Sequence, residues 1–124
     1  MPATDRSLEL AKTAALAADD KLATTVVGID VSEQLALTDV FVIVSAGTDR
    51  QVGAIVDEVE DKLREQGAKP IRREGERDGR WVLLDFGDIV VHVQHDDERE
   101  FYELERLWKD CPEVDLGVPK RRDA

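Results

Sequence analysis

The stretch that most limits the fold is Gly79-Arg80-Trp81-Val82-Leu83-Leu84-Asp85-Phe86-Gly87-Asp88-Ile89-Val90-Val91-His92-Val93-Gln94. Two apolar, β-branched runs flank Gly87-Asp88, a Gly-X pair suited to a two-residue type II′ turn, so the stretch reads as a β-hairpin. Such a turn pairs Phe86 with Ile89, Leu84 with Val91 and Val82 with Val93 on one face, which is wholly apolar and belongs to the core. Side chains alternate along strands, so Trp81 beside Gln94, Leu83 beside His92 and Asp85 beside Val90 share the other face. That mixed face admits two readings. A helix covers it, or part of it is kept for another protein, since Trp is a frequent interface anchor.

The rest of the chain supplies elements of the right kind. Thr4 caps a first helix to about Ala23, with Leu8, Ala11, Ala15, Ala18 and Leu22 as its buried stripe. Thr24–Val31 is a β-branched strand, and Asp39–Ala46 a second one, apolar on both faces and so central in a covered sheet. Thr48 with Gln51 opens a second helix in capping-box style, with Val52, Ile55, Val56, Val59 and Leu63 turned inward and Gly67 at its end. Lys69–Arg73 follows as the next strand of a βα unit, near an edge because of Pro70, Arg72 and Arg73. After the hairpin, Asp97 with Glu100 starts a last helix whose apolar face is Phe101, Leu104, Leu107 and Trp108, ended by Pro112. The fold class is a single α/β domain over residues 1–111, a mixed sheet of about five strands with helices packed on it, and a flexible tail over 112–124.

Composition narrows the function classes. The net charge is −11, which argues against a broad phosphate-neutralising surface for nucleic acid and against anionic membranes. It suits plain solubility, or a basic partner. Cys111 is the only cysteine, so there is no internal disulfide. Met1–Asp5 lacks the basic and apolar regions of a signal peptide, and no apolar run is long enough to span a bilayer; a cytoplasmic location is expected.

No catalytic constellation stands out. His92, His95, Cys111, Asp96 and Asp97 do not carry a recognised zinc spacing, so no metal is expected. Asp85 and Asp88 straddle the turn instead of sharing one strand face, which is wrong for a metal-binding acid pair. Gly47-Thr48-Asp49-Arg50 lacks a phosphate-loop lysine, and Asp49 opposes an anion there. Cys111 has no evident base. An interaction module with no cofactor fits better than an enzyme.

Several stretches carry a family resemblance: Asp39–Thr48, Arg50-Gln51-Val52, Glu74-Gly75, Gly79–His92, and Arg99–Trp108. Together they resemble the ribosomal silencing factor family, RsfS or Iojap, over about Leu8 to Asp110. The resemblance implies a nucleotidyltransferase-like fold without the catalytic acids and, in many members, a homodimer. It further implies binding to a basic large-subunit ribosomal protein, uL-fourteen, where the small subunit docks, which blocks subunit joining and represses translation in starvation or stationary phase. An assembly factor for the large subunit, using the same surface, is the alternative; a nucleotidyltransferase-like enzyme is a weaker one. His95 departs from the family, where an apolar residue is more usual. The implied partner-binding residues are Trp81 and Leu83 as apolar anchors, Asp85 and Asp88 for Lys or Arg of the partner, and the family-matched Arg99 and Tyr102. Tyr102 also suits the core, and Arg50 and Gln51 suit capping and loop bracing.

Overall fold

The computed structural model describes residues 2–102 and 104–121, without the side chains at 100–102, 104 and 105. In chain order the elements are α1 Asp5–Asp20, β1 Thr25–Asp30, β2 Val40–Ala46, α2 Asp49–Glu65, β3 Arg72–Glu74, β4 Trp81–Asp85, β5 Ile89–His95, α3 Asp96–Tyr102, α4 Leu104–Leu107 and β6 Glu113–Val114.

The hairpin forms in the expected register. Trp81 faces Gln94, Val82 faces Val93, Leu83 faces His92, Leu84 faces Val91 and Asp85 faces Val90. The turn is closed by a bond from the Phe86 N–H to the Ile89 carbonyl at 2.9 Å. Gly87 takes φ +86° while Asp88 keeps a negative φ, which is the type II′ requirement at the first central residue.

Among the described residues the sheet has six strands in the order β3-β4-β5-β2-β1-β6. It is mixed: β2 and β5 run parallel, with Val40 opposite Ile89 and Ala46 opposite His95, and the other pairs are antiparallel. Two sequence expectations change here. The βα unit does not place β3 beside β2; the parallel partner of β2 is β5, and β3 is the outer edge beyond the hairpin. The count of about five strands rises to six because residues 112–121, expected as a tail, run along the free edge of β1. The Asp30 N–H donates to the Pro112 carbonyl at 2.9 Å and the Val26 N–H to the Lys120 carbonyl at 2.8 Å. Between them β6 pairs with Gly28 and Ile29, and Leu116 is buried against the space that a side chain at Gly28 would fill. A two-residue strand has no periodicity to detect, which is why the sequence did not disclose it. Residues 122–124, the end of that tail, lie outside the described residues.

Helices α1 and α2 cover one face of the sheet. The Thr48 hydroxyl accepts from the Gln51 N–H at 3.1 Å, and Val52, Ile55, Val56, Val59 and Leu63 are buried, as their spacing requires. On α1 the buried set is Ser7, Leu10, Ala11, Ala14, Ala15, Ala17 and Ala18. Ala11, Ala15 and Ala18 of the expected stripe are buried, but its ends differ: Leu10 points in, Leu8 is half-buried, and Leu22 lies past the helix end, 57% exposed with φ +64°. Alanines on several faces of α1 leave the phase of the stripe ambiguous. These helices enclose Val40, Val42 and Val44 of β2 with Val82, Leu84, Val91 and Val93 of the hairpin. All seven residues of β2 are buried, as expected for a central strand covered on both sides.

The last helix differs in detail. The chain enters α3 at Asp96 directly from β5, so Asp97 is not its cap. Of the expected apolar face, Leu107 is exposed and Trp108 half-buried, while the side chains of Phe101 and Leu104 lie outside the described residues.

Candidate functional site

The face opposite α1 and α2 follows from strand alternation. It carries Val27 and Ile29 from β1, Phe41 and Ile43 from β2, Val90 from β5, and Trp81 and Leu83 from β4, with Leu35, Trp108 and Cys111 packed against them. The β1 and β2 side of this face is buried. Trp81, Leu83 and Asp85 on the hairpin side remain half-buried, as does Trp108 after α4. The chain after α3 covers one side of the face, while the β4 side is less covered.

Four rings run across this face in a row. The Trp81 indole Nε1–H donates to His92 Nδ1 at 3.3 Å. His92 meets Phe41 edge-on at a centroid distance of 5.1 Å, and Phe41 meets Trp108 edge-on at 5.0 Å. Edge-to-face packing of this kind adds to plain apolar burial. His92 is 7% exposed. Its burial pushes the imidazole pKa down from 6.5 to about 4, so the ring is neutral at ordinary pH. With Nδ1 accepting, the proton sits on Nε2, and that atom is buried with no hydrogen-bond partner among the described residues. Next to it, both amide atoms of the fully buried Gln94 are likewise unpartnered among the described residues.

Above the rings lies a polar row. The hydroxyls of Thr25 and Ser45, cross-strand neighbours, are 2.6 Å apart. Arg99 on α3 donates from Nε to the Thr25 hydroxyl at 2.7 Å, tying α3 to β1. Beside the start of β4, Arg80 bridges to Asp49 at 3.6 Å, Asp97 at 3.5 Å and Glu98 at 3.3 Å, and its carbonyl accepts from the His95 N–H at 2.7 Å. His95 Nδ1 accepts from the Asp97 N–H at 3.1 Å.

The other expected contact residues divide by position. Asp85 accepts from the Gly87 N–H at 2.8 Å and lies 3.8 Å from Arg72, so it braces the turn and the edge strand. Asp88 is exposed at the hairpin tip, at the far end of β4 from Trp81. Trp81 and Leu83 are together on the open side; Arg99 lies over the polar row instead of beside them. The Tyr102 side chain is outside the described residues. Sequence reasoning placed His92 on this face but left it, with Phe41 and Trp108, out of the site. The available signal was the register, which put His92 directly opposite Leu83.

Trp81 also depends on the turn before it. Gly75 has φ +83°, and a Cβ there would collide with the Trp81 carbonyl oxygen. Gly75→Ala is expected to destabilise the chain by about 2 kcal/mol or more, from strain plus overpacking. Urea unfolding checks this; unchanged stability would mean that the turn relaxes freely.

The full-length match to known proteins now bears on this face. Residues 4–124 match the family model described as "Ribosomal silencing factor during starvation". The chain belongs to the ribosomal silencing factor family. The RsfS protein of Bacillus subtilis is 45% identical over 105 residues, spanning 85% of this chain and 89% of that one. A crystal structure of a protein from Chromobacterium violaceum superposes with a TM-score of 0.78 at 32% identity, covering 90% of this chain and 92% of the other. The mouse protein named "Mitochondrial assembly of ribosomal large subunit protein 1" is 34% identical over 83 residues, 64% of this chain and 36% of its own length. Within this ribosomal silencing factor domain, no helix among the described residues is long and apolar enough to cross a membrane. No group of three or more His, Cys, Asp or Glu among them converges as a metal site.

Proposed function

We propose that this chain represses translation without enzymatic chemistry or a cofactor. In this reading it binds the large ribosomal subunit through the basic protein uL-fourteen and blocks joining of the small subunit by occupying its docking face. The observation that carries the proposal is the open side of the ring-bearing sheet face, where Trp81 and Leu83 stay half-buried in a member of a family named for ribosomal silencing. Trp81 and Leu83 supply apolar anchors, and Asp88, with Asp85 behind it, meets partner Lys or Arg. The net charge of −11 favours encounter with a basic partner. Arg99 and Tyr102 extend the contact from α3. The protein acts in the cytoplasm as a homodimer, a state that sedimentation equilibrium reads directly.

The test is sedimentation of the purified protein with separated subunits, then with both mixed. Co-migration with the large subunit alone and fewer joined ribosomes in the mixture are expected. Failure to bind at low salt would refute the proposal. The mouse relative's name favours one second reading, an assembly role at the same surface. Binding without loss of joining, together with large-subunit precursors accumulating in a deletion strain, would select it.

A further inference from the structure

Resting on the docking reading of this face, we propose that His92 is a positioning residue, which fixes the pose of the Trp81 indole that a partner meets. Trp81 lies on β4, next to the outer edge strand, and is half-buried. Its directly opposite neighbour is Gln94, yet its N–H reaches diagonally to His92 Nδ1. His92 itself has little freedom. It sits on central β5, 7% exposed, against the edge of Phe41, which is in turn held by Trp108. The buried ring on β5 thus offers the half-buried ring on β4 a fixed acceptor.

The arrangement has a feature that packing alone does not account for. His92 Nε2 is buried with no partner among the described residues, and an orphaned donor of this kind is destabilising. A phenyl ring at this position would fill the same space without the orphan. What the imidazole offers and a phenyl ring does not is the acceptor at Nδ1, and that acceptor is used by Trp81.

The test titrates purified large ribosomal subunits with the wild-type chain and with H92F, H92N, W81F and the W81F/H92F pair. His92→Asn places a carbonyl oxygen near the Nδ1 position, and Trp81→Phe keeps an aromatic ring but removes the donor. H92F is expected to bind about fivefold more weakly, the loss of one neutral hydrogen bond, while H92N stays within about twofold of wild type. In the W81F background, H92F is expected to have no further effect. In the free protein, hydrogen exchange at the Trp81 indole N–H is expected to speed up in H92F, with the signal assigned by its absence in W81F. Full affinity in H92F, an equal loss in both backgrounds, or unchanged indole exchange would overturn the role of His92. If the wild-type chain itself fails to bind subunits, the docking reading falls and this role falls with it.

Discussion

Trp81→Ala is expected to weaken binding to the large ribosomal subunit on the order of 30-fold, equivalent to about 2 kcal/mol, while the chain keeps its fold. The size follows from where the side chain sits. Trp81 is half-buried at the open side of its face, and its apolar body is available to desolvate a partner. Its contribution to the fold is smaller, because the β4–β5 ladder is held by backbone pairing and by Val82 and Leu84 on the opposite face. Two measurements decide the matter: a subunit-binding titration, and thermal unfolding followed by circular dichroism. A variant that binds like wild type removes Trp81 from the interface. A variant that unfolds shows that Trp81 is core and that the face is not a docking surface.

The second large effect concerns acid. Burial holds His92 at a pKa of about 4 in the folded chain, against 6.5 when exposed. Between these values the unfolded chain binds a proton that the folded chain refuses, so protons favour unfolding. The stability present above pH 6.5 is lost progressively as pH falls to 4, by roughly 3 kcal/mol across the window. Carboxylates titrate in the same range, so the comparison must be with a variant that lacks only this group. His92→Phe is expected to lose this component. Relative to wild type, it should gain stability in urea unfolding as pH falls from 7 towards 4.5. Parallel pH profiles for the two chains would show that His92 carries no such linkage.

The hairpin was legible because a Gly-X turn between β-branched runs fixes register, and register fixes both faces. The same logic places Trp81, Leu83, Asp85 and His92 on one surface. Long periodic segments such as α2 were equally readable. Three things were not. The alanine-rich α1 carries small side chains on several faces, so Ala11, Ala15 and Ala18 were readable as buried but Leu10 was missed and Leu22 wrongly included. The parallel pairing of β2 with β5 joins segments separated by a helix and two strands, and no local pattern encodes it. The edge-closing segment after Pro112 depends on backbone bonds to β1 and on one buried side chain, Leu116. At the site, sequence showed which residues share a face but not how they bond. The structure adds that Asp85 accepts from the Gly87 N–H and lies near Arg72, and that Arg99 donates to the Thr25 hydroxyl.

The strand order also has a consequence for how the chain is made. Synthesis runs from β1 to β6, but the sheet is completed inward and outward from β2, whose second neighbour is the late strand β5. Until β5 leaves the exit tunnel, β2 exposes an unpaired edge rich in valine, a target for chaperones or for other chains. Trp108 and the edge-closing segment follow β5 in the chain and emerge later still. The four rings, drawn from β2, β4, β5 and the segment after α4, can therefore be assembled only late in synthesis, when all of these have emerged.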